Sequence, residues 1–215
     1  MIAEIVPGTY DALGKQVSQP RNKRYHVLFA PTLPLGRYLN RPLSVKCSNL
    51  DEVHCFLRQC RYVSDLKQFG QRDYWMPPED FEIKKKGDCE DFALWTWRQL
   101  MALGYEARLV LGTRGRYGSG HAWVTFTDDE RIFLVEPCLA WLSKKLPRFS
   151  VLRYKPELSV TYSGDRLRYF EHQESPYDPA FREALPLICE WIAFTGKYSH
   201  KIVARRIRTY ISQIK

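Results

Sequence analysis

The stretch KKKGDCEDFALW, Lys84 to Trp95, turns within a few residues from polar to apolar and helix-spaced. Phe92, Thr96, Leu100 and Leu103 recur at helical intervals, with Ala93, Trp97 and Met101 beside them, and Gly104 is a usual helix-closing residue. The spacing predicts a helix over Asp88 to Leu103. Asp88 as N-cap, with Asp91 at capping-box distance, makes Cys89 the first helical residue. Unpaired backbone N–H groups and the positive end of the helix dipole favour a thiolate there. Asp88, Glu90 and Asp91 oppose it, so a nucleophilic Cys89 needs a cationic partner from elsewhere in the chain.

The chain is long enough, at 215 residues, to bury a core around such a helix, and its 45% hydrophobic content excludes a mainly disordered state. Cys47, Cys55, Cys60, Cys89, Cys138 and Cys189 form no Cys-x-x-Cys pair, so free thiols are expected rather than a zinc cluster. The start, MIAEIVPGTYDALGK, lacks a basic flank ahead of an apolar run, and no run approaches the ~18 residues of a membrane span. A soluble, cytoplasmic protein is the expectation. The net charge of +9 is uneven: residues 140–215 carry 14 Lys and Arg against 7 Asp and Glu.

Three regions are expected: an N-terminal extended segment (1–45) with one strand in RNKRYHVLFA, a core (46–155), and a C-terminal hairpin and basic helical extension (156–215). NLDEVHCFLRQCRYVSDLKQF, from Asn49, has one continuous helical spacing. EARLVLG, HAWVTF and RIFLVE read as strands, and LSVTYSGDRLRYFEH as a hairpin turning at Ser163-Gly164-Asp165. The tail KIVARRIRTYISQIK has an apolar face and a basic face, suited to an anionic partner such as nucleic acid or an acidic protein.

His121 is the candidate partner for Cys89, since it opens a strand directly after a Gly-rich loop. A two-residue turn at Asp128-Asp129 would set Val124 against Phe133 and His121 against Glu136, where opposed Cβ atoms lie ~5 Å apart. The chain thus offers a nucleophile at a helix start and a base with its own orienting carboxylate.

DYWMPPEDFEIKKKGDCEDFALWTWRQLMALGYEARLVLG, GHAWVTF and FLVEP together resemble the transglutaminase-like superfamily, and most nearly its bacterial cysteine peptidases, over roughly residues 60–138. The resemblance implies an α+β, papain-like core with the nucleophile helix packed on an antiparallel sheet. It implies Cys89 as nucleophile, His121 as general base and acid, and Glu136 as orienting carboxylate, where aspartate is usual. Attack on an amide of a protein or peptide would form a thioester, with Gln71 and Trp75 as oxyanion or cleft candidates and Arg114 and Arg116 as a substrate rim. No cofactor is required on this reading. Some relatives bind calcium through the acids around the cysteine, here Asp88, Glu90 and Asp91, although capping accounts for the same acids without metal. The alternative is a binding module that works through its basic tail.

Overall fold

The computed structural model describes residues 2–5, 14–18, 31–114, 119–141 and 154–172. From the N-terminus come β1 (Ile2–Ile5), β2 (Lys15–Val17), α1 (Arg37–Asn40), α2 (Leu50–Leu57), β3 (Arg61–Tyr62), α3 (Asp65–Phe69), α4 (Pro78–Lys84) and β4 (Lys86–Gly87). Then follow α5 (Cys89–Ala102), β5 (Glu106–Arg114), β6 (Ser119–Asp128), β7 (Arg131–Val135), β8 (Lys155–Ser163) and β9 (Arg166–Glu171). Seven strands make one antiparallel sheet in the order β1-β7-β6-β5-β8-β9-β2, and β3 and β4 form a separate parallel pair. It is a mixed α/β fold in which helix α5 lies across β5 and β6.

Helix α5 is buried nearly all round, as a central helix must be when it is apolar on more than one side. Ala93, Leu94, Trp97 and Leu100 pack on the sheet against Leu109, Leu111, Ala122, Val124 and Leu158. Phe92 and Trp95 face α2 and α4, where Trp95 stacks on Phe56 with ring centroids 4.2 Å apart. Both buried indoles find acceptors: Trp97 Nε1 donates to Ala107 O (3.1 Å) and Trp95 Nε1 to Glu82 Oε1 (2.9 Å). The Glu82 carboxylate also accepts the Ser44 and Val45 N–H groups, which ties the segment before α2 onto this layer. On the other face of the sheet, Val110, Trp123 and Leu134 meet Ile5 and Tyr154.

Two expectations are corrected. The helix expected through residues 50–69 ends at Leu57, because β4 captures the backbone that follows: Arg61 N donates to Lys85 O and Val63 N to Gly87 O, each at 2.8 Å. The β6–β7 turn lies at Asp129-Glu130, where both residues adopt positive φ (45° and 64°) as a two-residue hairpin turn of this twist requires. Val124 therefore pairs with Val135 and Phe126 with Phe133. The shift is two residues, so each side chain keeps its expected face, and His121 and Glu136 become diagonal neighbours on one face.

The hairpin at Ser163-Gly164-Asp165 is β8–β9, and β8 pairs with β5 inside the main sheet. The N-terminal segment, expected as an extended wrap, supplies a strand to each edge: β1 beside β7 and β2 beside β9. The expected strand in 21–30, Arg116 and the helical basic tail lie outside the described residues. Among the described residues no helix is long and apolar enough to cross a membrane.

Where β5 meets β8 the register slips between Leu111 and Gly112, a β-bulge that brings β8 unusually close. A Cβ on Gly112 would lie 2.0 Å from the Lys155 carbonyl oxygen and 2.8 Å from the Trp123 ring. Because the Lys155 contact is backbone, the strand cannot yield locally. Gly112→Ala should therefore destabilise the fold by about 3 kcal/mol, the upper range for overpacking. Urea unfolding followed by tryptophan fluorescence measures it, and an unchanged midpoint would refute the close approach.

Candidate active site

Gly87 precedes the site because a side chain there would come within 2.4 Å of the Asp91 carboxylate. Asp91 is fully buried and both of its oxygens serve the backbone: Oδ2 accepts the Asp88 N–H at 3.2 Å, one half of the expected capping box, and Oδ1 accepts Met76 N–H at 2.8 Å. Burial pushes its carboxyl up to about 8 even with the Met76 bond opposing. Cys89 follows at the helix start, half-buried, with its Sγ donating to Glu90 Oε2 at 3.2 Å. Burial raises the thiol well above its usual range, the charges of Glu90 and Asp88 add to this, and a hydrogen bond with the Ala122 backbone acts the other way. The helix-start effect that favours a thiolate is outweighed in this conformation.

Upstream residues complete an acidic cluster that the sequence alone did not assemble. Asp65 and Asp73 join Asp88 and Glu90, with carboxylate oxygens of Asp65, Asp73 and Glu90 within 4.8 Å of one another. Asp65 accepts the Tyr74 N–H, and Asp88 Oδ2 accepts Asp65 N–H at 3.3 Å. Asp65 Oδ1 and Asp88 Oδ1 are buried with no hydrogen-bond partner. Burial raises all four carboxyls, Glu90 to about 10, and neighbouring acids raise them further. No fixed spacing links Asp65 to the Asp88-Cys89-Glu90 motif, and the β3–β4 pairing brings the two segments side by side.

The second half of the site is the expected pair of His121 and Glu136. His121 Nε2 and Glu136 Oε2 lie 2.7 Å apart, both residues buried. Arg114 Nη1 donates to the same Oε2 at 2.8 Å and lies 3.2 Å from His121 Nε2, and the Tyr154 hydroxyl also donates to Oε2. Oε1 accepts the Cys138 N–H at 3.2 Å, where Glu136 caps a single 3-10 turn, Pro137–Leu139. Burial alone would raise this carboxyl, but the charge and hydrogen bond of His121, the Arg114 charge and the Tyr154 bond hold it at about 2. The Trp123 and Tyr154 rings flank the imidazole, each with its centroid 6.2 Å away.

The two halves adjoin. Ala122 follows His121 in β6, and its backbone reaches the Cys89 thiol. The Cys138 sulfur lies within 4.8 Å of ligand atoms of His121 and Glu136, and it feels the charge of Cys89. Of the other expected residues, Gln71 is exposed, whereas Trp75 is 2% exposed and packs in the main core against Tyr38. Arg114, expected at a rim, reaches inward to Glu136 instead. Tyr62, whose phenol senses Cys89, Cys138, Asp88 and Glu90, borders the thiol with half of its surface exposed.

Residues 44–136 match the family model described as the bacterial transglutaminase-like cysteine proteinases. The matched segment holds Cys89, His121 and Glu136. Among solved structures the chain is similar to LapG of Legionella pneumophila, at 23% identity and a TM-score of 0.41, over 64% of this chain and 70% of that one. Calcium-bound LapG gives 22% and 0.43 over 68% and 80%, and EGTA-treated LapG 22% and 0.44 over 65% and 74%. No curated protein matches the chain.

The acidic cluster sets a pH dependence. Glu90 and Asp91 keep their protons to about 10 and about 8 in the folded chain, whereas an unfolded chain loses them near ~4. Between those limits the folded state binds more protons, so stability falls as pH rises. In EGTA the Tm should drop from pH 5 to pH 8, and Glu90→Gln should flatten the slope. A Tm that climbs over this range in both proteins would contradict the cluster's described state.

Proposed function

We propose that the protein is a thiol peptidase that cleaves amide bonds in protein or peptide substrates through Cys89, His121 and Glu136. The buried 2.7 Å pair of His121 and Glu136, one residue from the Ala122 amide that reaches the Cys89 thiol, carries this reading. Because the thiol is pushed up, it does not ionise unaided near neutral pH, and its proton must leave as the sulfur attacks. His121 takes that proton, and Glu136 orients the ring and stabilises the imidazolium. The sulfur adds to the scissile carbonyl carbon. The C–N bond then breaks as His121 returns the proton to the departing amine, which leaves a thioester on Cys89. Water attacks the thioester with His121 as base, releasing the new carboxylate and restoring the thiol. The Cys89 backbone N–H, in the first helical turn where such groups lack intrahelical acceptors, would face the oxyanion.

Calcium fits the acidic cluster. Its donors are all carboxylate oxygens, two of them buried without a partner, and hard oxygen sets of this kind suit Ca²⁺. Asp65, Asp73, Asp88 and Glu90 would hold it, whereas the oxygens of Asp91 are committed to backbone amides. When bound, the ion would neutralise carboxylates that crowd one another beside the thiol.

Two measurements test these readings. Iodoacetamide labelling resolved by peptide mass spectrometry should find Cys89 faster than the other five cysteines, with His121→Ala erasing that lead by tenfold or more. The same rate in both proteins would sink the triad. Separately, calcium at millimolar excess should raise the Tm by several degrees, EGTA should reverse it, and Asp65→Asn should abolish it. No calcium effect on wild-type melting would remove the ion from the account and leave the triad standing.

A further inference from the structure

Glutamate is one methylene longer than aspartate, so its carboxylate has one more torsion to restrain before it can hold an imidazole in one orientation. Four donors restrain it here: His121 Nε2, Arg114 Nη1 and the Tyr154 hydroxyl on Oε2, and the Cys138 N–H on Oε1. Two of them, Arg114 and Tyr154, lie outside the quoted motif segments. Arg114 is the last residue of β5, and Tyr154 precedes β8 at the side where the bulge at Gly112 draws that strand in.

Building on the peptidase reading, we propose that Arg114 and Tyr154 are positioning residues, a clamp that aims Glu136 Oε2 at His121 Nε2 so that Nδ1 is the nitrogen that takes the Cys89 proton. Three features make this more than a strand-closing ion pair. Both side chains converge on the one oxygen that faces the histidine, not on the carboxylate at large. The Arg114 guanidinium also lies 3.2 Å from Nε2, so it packs against the edge of the imidazole that meets Glu136. Tyr154 is fully buried, and its ring flanks the imidazole while its hydroxyl holds the carboxylate, so one side chain restrains both members of the pair. Burial and the Glu136 charge keep the Tyr154 hydroxyl protonated, which maintains it as a donor.

The test uses the full chain and Cys89 alkylation by iodoacetamide at pH 7, with thermal melts on every variant. Tyr154→Phe and Arg114→Met should each slow labelling about tenfold, the scale of one lost hydrogen bond to a charged group. Arg114→Lys should recover most of the rate because it restores a cationic donor. In a Glu136→Gln background, Tyr154→Phe should have no further effect, since a residue acting through Glu136 has nothing left to aim. A lower Tm with unchanged labelling would make the clamp purely structural and overturn the proposal. Equal slowing in the wild-type and Glu136→Gln backgrounds would overturn it too, by showing that Tyr154 acts by another route. If wild-type Cys89 labels no faster than the other thiols and ignores His121→Ala, the peptidase reading itself falls and the clamp goes with it.

Discussion

A carboxylate with no solvent exposure is tolerated only when its charge is matched and its lone pairs are filled, and Glu136 meets both demands through four neighbours. Removing one partner from a buried ion pair typically costs about 3–5 kcal/mol, because the remaining charge is stranded. The requirement therefore reaches beyond the site. The partners of Glu136 sit at the end of β5, within β6 and just before β8, and Glu136 itself joins β7 to the 3-10 turn.

The carboxylates on the other side of Cys89 live under the reverse condition. Glu136 has four donors for its two oxygens, whereas Asp65 and Asp88 each keep one buried oxygen without a donor. Burial raises both sets, but the charges and hydrogen bonds of His121, Arg114 and Tyr154 bring Glu136 down to about 2, whereas nothing comparable offsets it at Glu90, which reaches about 10. The thiol sits between a pole already compensated by protein and a pole that protein alone leaves uncompensated. That asymmetry separates Glu136 from the cluster around Cys89, although all of these are buried or half-buried acids.

Local features of the site were legible in the sequence, and features assembled across the fold were not. The helix over Cys89–Ala102 and its Asp91 cap follow from spacing and termini, because capping is a contact between residues three apart. The meeting of His121 and Glu136 was foreseen from a hairpin register two residues off. It survived because an even slip keeps every side chain on its face, and the extra reach is within the length of glutamate. Residues 50–69 misled, since their apolar spacing is helical while the backbone of Arg61 and Val63 is claimed by a strand more than twenty residues away. Asp65, Asp73 and Tyr154 carried no local signal, and Arg114 read as a rim residue of the loop before His121; long-range pairing decides where all four lie. Trp75 had the profile of a cleft wall but satisfies the core, as large aromatics most often do.

The placement of β1 and β2 at opposite edges of the sheet has a consequence for how the chain folds. Ile2 pairs with Val135 and Lys15 with Glu171, so each of these strands finds its partner more than 130 residues further along the chain. Until then they are extended strands without a ladder, and the sheet grows from its middle outward, beginning with the local β5–β6 and β6–β7 hairpins. Closing loops of this length is entropically slow, which places the docking of β1 and β2 after the local hairpins have formed. During that interval both sheet edges lie open, and it is then, more than in the finished protein, that the chain is exposed to mispairing with a second copy of itself.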